Sequence, residues 1–172
     1  MALGIDEETL YPKHPVLMPI VAQPLFLAWG YEGLLAFNLL MLIACAGLVL
    51  VWVDPRGDRP WAGVALLATF ASPTVARWAA SYSNDIFAGA LTAGALVALR
   101  GRRGLLAGVL AVGSIWTRPL HLLALVAGGA CLLPRLARGG AGRVTMARAT
   151  LGAAALGSAW LGFNWAWFGS PF

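Results

Sequence analysis

The sequence predicts an all-α fold, a polytopic transmembrane bundle of about six membrane segments preceded by an N-terminal juxtamembrane helix. Composition is the first reason. The 172 residues are 60% hydrophobic and only 11% charged, against about 45–50% apolar and about 25% charged in an average soluble domain. The second is that the apolar residues gather into runs separated by short arginine- and proline-bearing breaks. The third is that those breaks alternate in charge, as loops on the two sides of a bilayer do. A water-soluble fold of this size has too much surface to hide so much apolar area. Lipid as solvent removes that requirement.

Residues 1–14 are polar, and the opening MALGIDEETLYPKHP lacks the basic and apolar regions of a cleavable signal peptide. Pro12, Pro15, Pro19 and Pro24 punctuate the stretch up to residue 29. Residues 15–29 therefore read as a short helix lying at the interface or entering it obliquely. Within a single domain over 1–172, residues 1–30 are read as an external loop with its juxtamembrane helix, and 31–168 as membrane helices. The first span is Tyr31 to Val53, long enough for the hydrocarbon core at about 1.5 Å per residue. After the turn DPRGDRP come Trp61 to Ala76, the polar break RWAASYSND, Ile86 to Leu99, Gly104 to Thr117, Leu120 to Leu133 and Ala149 to Phe168. Three of these runs hold only about 14 residues, below the roughly 17–25 of a full span. They extend through their polar ends, tilt against protein or re-enter. Their alanine and glycine suit close helix packing.

Charge gives the bundle a direction. With the first span leaving the outer face, the inner loops hold Arg56, Arg59, Arg100, Arg102, Arg103, Arg135, Arg138, Arg143 and Arg148, nine of twelve basic residues. Lys13, Arg77 and Arg118 fall outside, as do Asp6, Glu7, Glu8, Glu32 and Asp85. Positive-inside bias selects this orientation. Trp29, Trp52, Trp61, Trp78, Trp116, Trp165 and Trp167 all lie near span ends, where an aromatic belt is expected. The net charge of +5 is carried by short loops, which suits anionic lipid and topology and argues against nucleic acid as a partner. Cys45 and Cys131 fall inside apolar runs and read as small buried hydrophobes. The chain has no metal-ligand cluster.

Candidate chemistry therefore collects outside. Asp6, Glu7 and Glu8 stand close to Lys13 and His14. Carboxylates beside a lysine and a histidine can serve acid/base chemistry on an anionic substrate, or they form a solvated acidic tip before a proline-rich turn. Arg118 ends an apolar run and is followed by proline, a position that suits a phosphate contact or an interfacial anchor. Asp85 can cap the helix that starts beside it, with Arg77 as its ion-pair partner. His121 lies about one helical turn from Arg118 and can share a polar pocket with it. Asn38 and Gln23 read as interhelical hydrogen-bonding residues.

Three motifs carry a resemblance. YPKHPVLMPIVAQPLFLAWG (11–30), Thr117-Arg118-Pro119 and the closing NWAWFGSPF (164–172) resemble, in order and spacing, stretches of bacterial GT-C membrane glycosyltransferases. These are the glycosyltransferase 39-like enzymes similar to protein O-mannosyltransferases and lipid A aminoarabinose transferases. The resemblance implies transfer of a sugar from a polyprenyl-phosphate donor to an acceptor at the outer face of the bacterial plasma membrane. It implies an external-loop carboxylate as base, with Asp6 or Glu7 the candidates here, and Lys13, His14 and Arg118 as contacts to the donor phosphate. Arg77 and Asp85 are further polar residues of that face. A divalent cation is compatible with this chemistry, and the sugar and acceptor are left open. Family members begin with a membrane helix and an acidic loop and are much longer. The expectation is therefore a fragment, inactive alone, with the principal carboxylate upstream. The competing reading is a non-enzymatic membrane module, a transporter piece or an assembly partner.

Overall fold

A computed structural model describes residues 2–3, 10–11, 16–137 and 139–169. Two short strands, β1 (Ala2–Leu3) and β2 (Leu10–Tyr11), pair antiparallel. The rest is helical: α1 (Leu17–Val53), α2 (Pro60–Phe70), α3 (Pro73–Ala79), α4 (Asn84–Arg100), α5 (Gly104–Thr117), α6 (His121–Leu136) and α7 (Gly140–Phe168).

α1 is two helical arms joined at Gly30, whose φ of 59° and ψ of −140° are non-helical. That backbone is readily available to glycine and strained for residues with a Cβ. The arms then fold against each other. A Cβ on Gly33 would run into the backbone carbonyl of Leu25. Met18 and Ala22 from the first arm bury against Phe37 from the second and Phe87 from α4. The expected division into a short helix before residue 30 and a long apolar helix from Tyr31 is thus present. The run 61–76 is not one helix. It breaks at Ser72, whose hydroxyl accepts from the Val75 amide at 3.4 Å while Pro73 opens α3. A serine cap followed by proline at the first helical position starts a new helix.

Side-chain registers give the directions of the helices. Cys45 meets Gly89 and Leu48 meets Gly94, so the second arm of α1 runs parallel to α4, with α2 and α3 returning between them. Gly94 meets Leu110 and Gly113 meets Leu91, so α5 is antiparallel to α4. Gly104 abuts Thr145 and Gly108 abuts Ala149, so α5 and α7 are parallel with α6 as the return. The chain therefore alternates end to end. The turns at 54–59 and 100–103 lie at one end with Arg148, whose Cβ approaches Gly104. The turns at 80–83 and 118–120 lie at the other.

The α5–α7 seam is close because glycine lines it on both sides. Cβ atoms on Gly104, Gly108 or Gly152 would enter the backbone of the opposing helix. This is small-residue packing of the GxxxG kind, with Gly104 and Gly108 as the pair. Trp116 continues the seam, stacked on Trp160 at 5.8 Å and tilted on Phe163 at 6.1 Å. It is 9% exposed, so its place is the core and not an aromatic belt. Trp29, Trp61, Trp165 and Trp167 are exposed near helix ends as expected, whereas the side chain of Trp78 lies outside the described residues.

α1 is long and apolar enough to cross a membrane by length and composition, and α2, α5 and most of α6 are shorter apolar helices. Only 11% of the most apolar stretch of α1 is buried. Leu40, Ile43, Val64, Leu67, Leu123, Val126 and Leu151 all face outward. Outward-facing leucine, isoleucine and valine on several helices form a surface that water disfavours.

Candidate functional site

Asn38, Thr92, Ser114 and Thr117 are buried polar residues on the side of the bundle away from the arginine turns, whereas Asp54 and Thr145 are buried at the arginine end. Asn38, fully buried on α1, donates to the carbonyls of Ala79 (3.1 Å) and Ser81 (2.7 Å). That fastens the turn leading into α4. The bond to Ala79, the last residue of α3, is the expected helix-to-helix bond, and the one to Ser81 adds the turn; Gln23 is exposed. Ser83 caps α4 by accepting from the Asp85 amide at 3.3 Å. Asp85 is therefore not the cap. Its carboxylate is free to reach across to the chain between α5 and α6.

Arg118 meets it there. Thr117 ends α5, and Arg118 is extended. Its Nε donates to Asp85 Oδ1 at 2.5 Å and its Nη2 to Oδ2 at 2.9 Å. This is the two-pronged geometry that guanidinium and carboxylate planes favour. Asp85 thus pairs with Arg118 and not with Arg77. Arg77 is exposed in the last turn of α3 and forms no ion pair among the described residues. The Arg118 hydrogen bond holds the Asp85 carboxyl below its ordinary range, against desolvation, with the arginine's charge adding to the effect. The same bond raises the Arg118 guanidinium. The Asp85 side chain is 36% exposed and that of Arg118 47%, so the pair opens to the surroundings. Two of the five guanidinium N–H groups are used, and the other three have no partner among the described residues.

Beneath this pair lies a buried hydroxyl network. Thr92 Oγ1 lies 2.9 Å from the Ala88 carbonyl, 2.6 Å from Ser114 Oγ and 2.7 Å from His121 Nδ1. A threonine hydroxyl has one proton to give. Ser114 Oγ also reaches the Ala88 carbonyl, at 3.2 Å, so the two hydroxyls, with one proton each, share the bond to that carbonyl and the bond between them. His121 is then held by its Nδ1, with Nε2 left over. Its expected nearness to Arg118 is realised, in a pocket shared with Thr92 and Ser114.

Asp6, Glu7, Lys13 and His14 lie outside the described residues, as do Ser170 to Phe172 of the closing motif. Among the described residues no group of three or more histidine, cysteine or acidic side chains is placed to hold a metal. Thr92 and Ser114 went unnoticed in the sequence, although a signal was there. Asp85 and Thr92 are two turns apart on one helix face, and Ser114, Arg118 and His121 are spaced at intervals of four and three.

No protein-family model, curated protein or solved structure matches this chain. The chemistry must then be judged from the residues. An aspartate held low by a bidentate arginine is a weak base. A half-exposed arginine with spare N–H groups, beside an anchored imidazole, is instead suited to receiving an anion.

Proposed function

We propose that this chain is a multi-pass membrane protein, and that the end of the bundle carrying Asp85, Arg118 and His121 receives the phosphate of a polyprenyl-phosphate sugar for transfer at the outer face of a bacterial plasma membrane. The observation that carries the reading is the state of Arg118, oriented by Asp85 with three donors unspent at the end of an apolar bundle. Alternating helix directions, outward-facing apolar side chains and arginine turns at the opposite end support the membrane part. The resemblance of Thr117-Arg118-Pro119 to the GT-C transferases supports the donor class. Asp6 or Glu7 is the proposed base toward the acceptor, and Lys13 and His14 are further proposed phosphate contacts.

Binding of labelled polyprenyl phosphate to the chain in lipid nanodiscs tests the site. Arg118→Gln is expected to weaken binding by about 10- to 100-fold, the worth of hydrogen bonds to a charged group. Arg118→Lys is expected to recover part of it as a point charge. Unchanged binding in Arg118→Gln would refute the assignment.

One observation favours the second reading, a non-enzymatic module. Thr92, Ser114 and His121 satisfy one another internally, as residues that merely tie helices together do. Sugar transfer from a labelled lipid-linked donor by the product of the full open reading frame decides between the two. A folded product that transfers nothing favours the module.

A further inference from the structure

A second feature lies at the arginine-bearing end and has no part in the site above. A groove of about 580 Å³ runs between α1, α4 and α5. Met41, Ala44 and Leu48 form one wall, Ala90, Gly94 and Ala98 the floor, and Leu106 and Leu110 the other wall, with Gly101 and Arg103 at one end. Its size falls within the ~300–1,000 Å³ of ordinary ligand sites. It exists because α4 presents alanine and glycine where larger residues would fill the space.

Length and charge identify an occupant. Along α4 the groove extends from Ala90 to Gly101, about 16 Å at the helical rise. That is roughly half of a ~30 Å hydrocarbon core, the depth of one leaflet. The arginine end is not neutral. Arg102 and Arg103 are both exposed and form no ion pair among the described residues. Arg100 is already engaged, donating to the Trp52 carbonyl at 2.6 Å and lying over the Trp52 ring. An apolar trough one leaflet deep, with Arg103 lining its end and Arg102 next to it in the chain, matches an acyl chain joined to an anionic headgroup.

We propose that this groove seats one acyl chain of an anionic phospholipid from the leaflet at the arginine-bearing end, with the headgroup phosphate on Arg102 and Arg103. The proposal rests on the membrane reading above but not on the sugar-transfer reading. The lipid lies at the end opposite Asp85 and Arg118, so the two sites are independent. The groove binds a structural lipid, and the cations select its headgroup.

Native mass spectrometry of the purified chain, with phosphatidylglycerol and phosphatidylcholine of identical acyl chains in competition, tests this. The expected result is a preference for phosphatidylglycerol on the order of 30-fold, from about 1 kcal/mol for each of the two arginines near an anionic headgroup. Arg102→Gly with Arg103→Gln should abolish the preference. Arg102 has a φ of 60°, so glycine there removes the charge while easing the backbone. Ala44→Phe, which fills the trough, should reduce retention of both lipids. Equal binding of the two lipids by the unaltered chain would overturn the proposal, as would a preference that survives the double substitution. So would a crosslink from Ala44→Cys to a second copy in the bilayer, since protein would then occupy the groove. Alkaline carbonate extraction separates the premises. Release from membranes removes the membrane reading and this proposal together, whereas retention without headgroup preference removes the proposal alone.

Discussion

Replacing Gly108 by alanine adds one methyl group at the tightest place in the bundle. A Cβ there falls within van der Waals reach of the Ala149 carbonyl oxygen, 2.7 Å from the Ala153 amide nitrogen and 2.9 Å from the Ala149 carbonyl carbon. Ordinary contacts of this kind lie near 3.5–4.0 Å, so α5 and α7 must separate by roughly an ångström. The obstructing atoms are backbone and cannot rotate away. The cost should therefore sit at the upper end of the ~1–3 kcal/mol range for overpacking. Alanine's better helix propensity returns about 1 kcal/mol, leaving a net loss of about 2 kcal/mol. Gly162 on α7 is the control, because a Cβ there meets nothing within 4 Å. Gly162→Ala should be neutral or stabilising by up to about 1 kcal/mol. Reversible unfolding by sodium dodecyl sulfate in mixed micelles, monitored through tryptophan fluorescence, measures both variants, and the Trp116–Trp160 stack lies on the same seam. A Gly108→Ala protein as stable as the parent would refute the close-packed seam.

Three further outcomes are expected. Asn38→Ala removes both hydrogen bonds, to Ala79 and Ser81, and should cost about 1–3 kcal/mol, with faster amide hydrogen exchange through Asp85. Gly30→Ala forces a side chain into a φ of 59° and should cost about 1–2 kcal/mol, read in the same unfolding assay. Arg118 lowers the folded Asp85 carboxyl below its ordinary 3.8, so the pair's stabilisation is complete above that value and fades as pH falls through the lower folded one. Both side chains are partly exposed, and the effect should be no more than about 1 kcal/mol. A stability profile from pH 2 to 6 should lose this component in Asp85→Asn.

Most helix positions were legible, because proline, glycine and arginine punctuate the apolar runs, but the last helix begins at Gly140 and not at Ala149, so Arg143 and Arg148 lie inside α7 and not in a loop. The break at Gly30 was signalled by the proline-rich stretch before it, and the long second arm by its unbroken apolar length. The interruption at Ser72 was not anticipated, because the run 61–76 is apolar on both sides of it. Only the Ser-Pro pair signals a new start. At the candidate site, Arg118 and His121 were recognised from spacing along one segment, whereas the Asp85–Arg118 pair joins residues on different helices. Local spacing cannot tell which of Arg77 and Arg118 the aspartate will meet. The α4–α5 packing register decides that. Thr92 and Ser114 were overlooked because single hydroxyls in apolar helices commonly bond back to their own helix, as Thr117 does to Gly113 at 2.8 Å.

The parallel pairing of α5 with α7 has a consequence for biosynthesis. Gly104 and Gly108 leave the ribosome well before Thr145 and Ala149, the residues they are shaped to meet. At roughly 5–20 residues per second, the gap is on the order of seconds. For that interval α5 presents a bare, notched face to whatever surrounds it, and α6 must turn back before the notch can close. The parallel pairing of α1 with α4 imposes the same delay earlier in the chain. α4 can dock on α1, and α5 on α4, as each emerges, but the α5–α7 seam cannot close until α7 is made. The glycine face of that seam therefore stays unpaired until the last helix arrives.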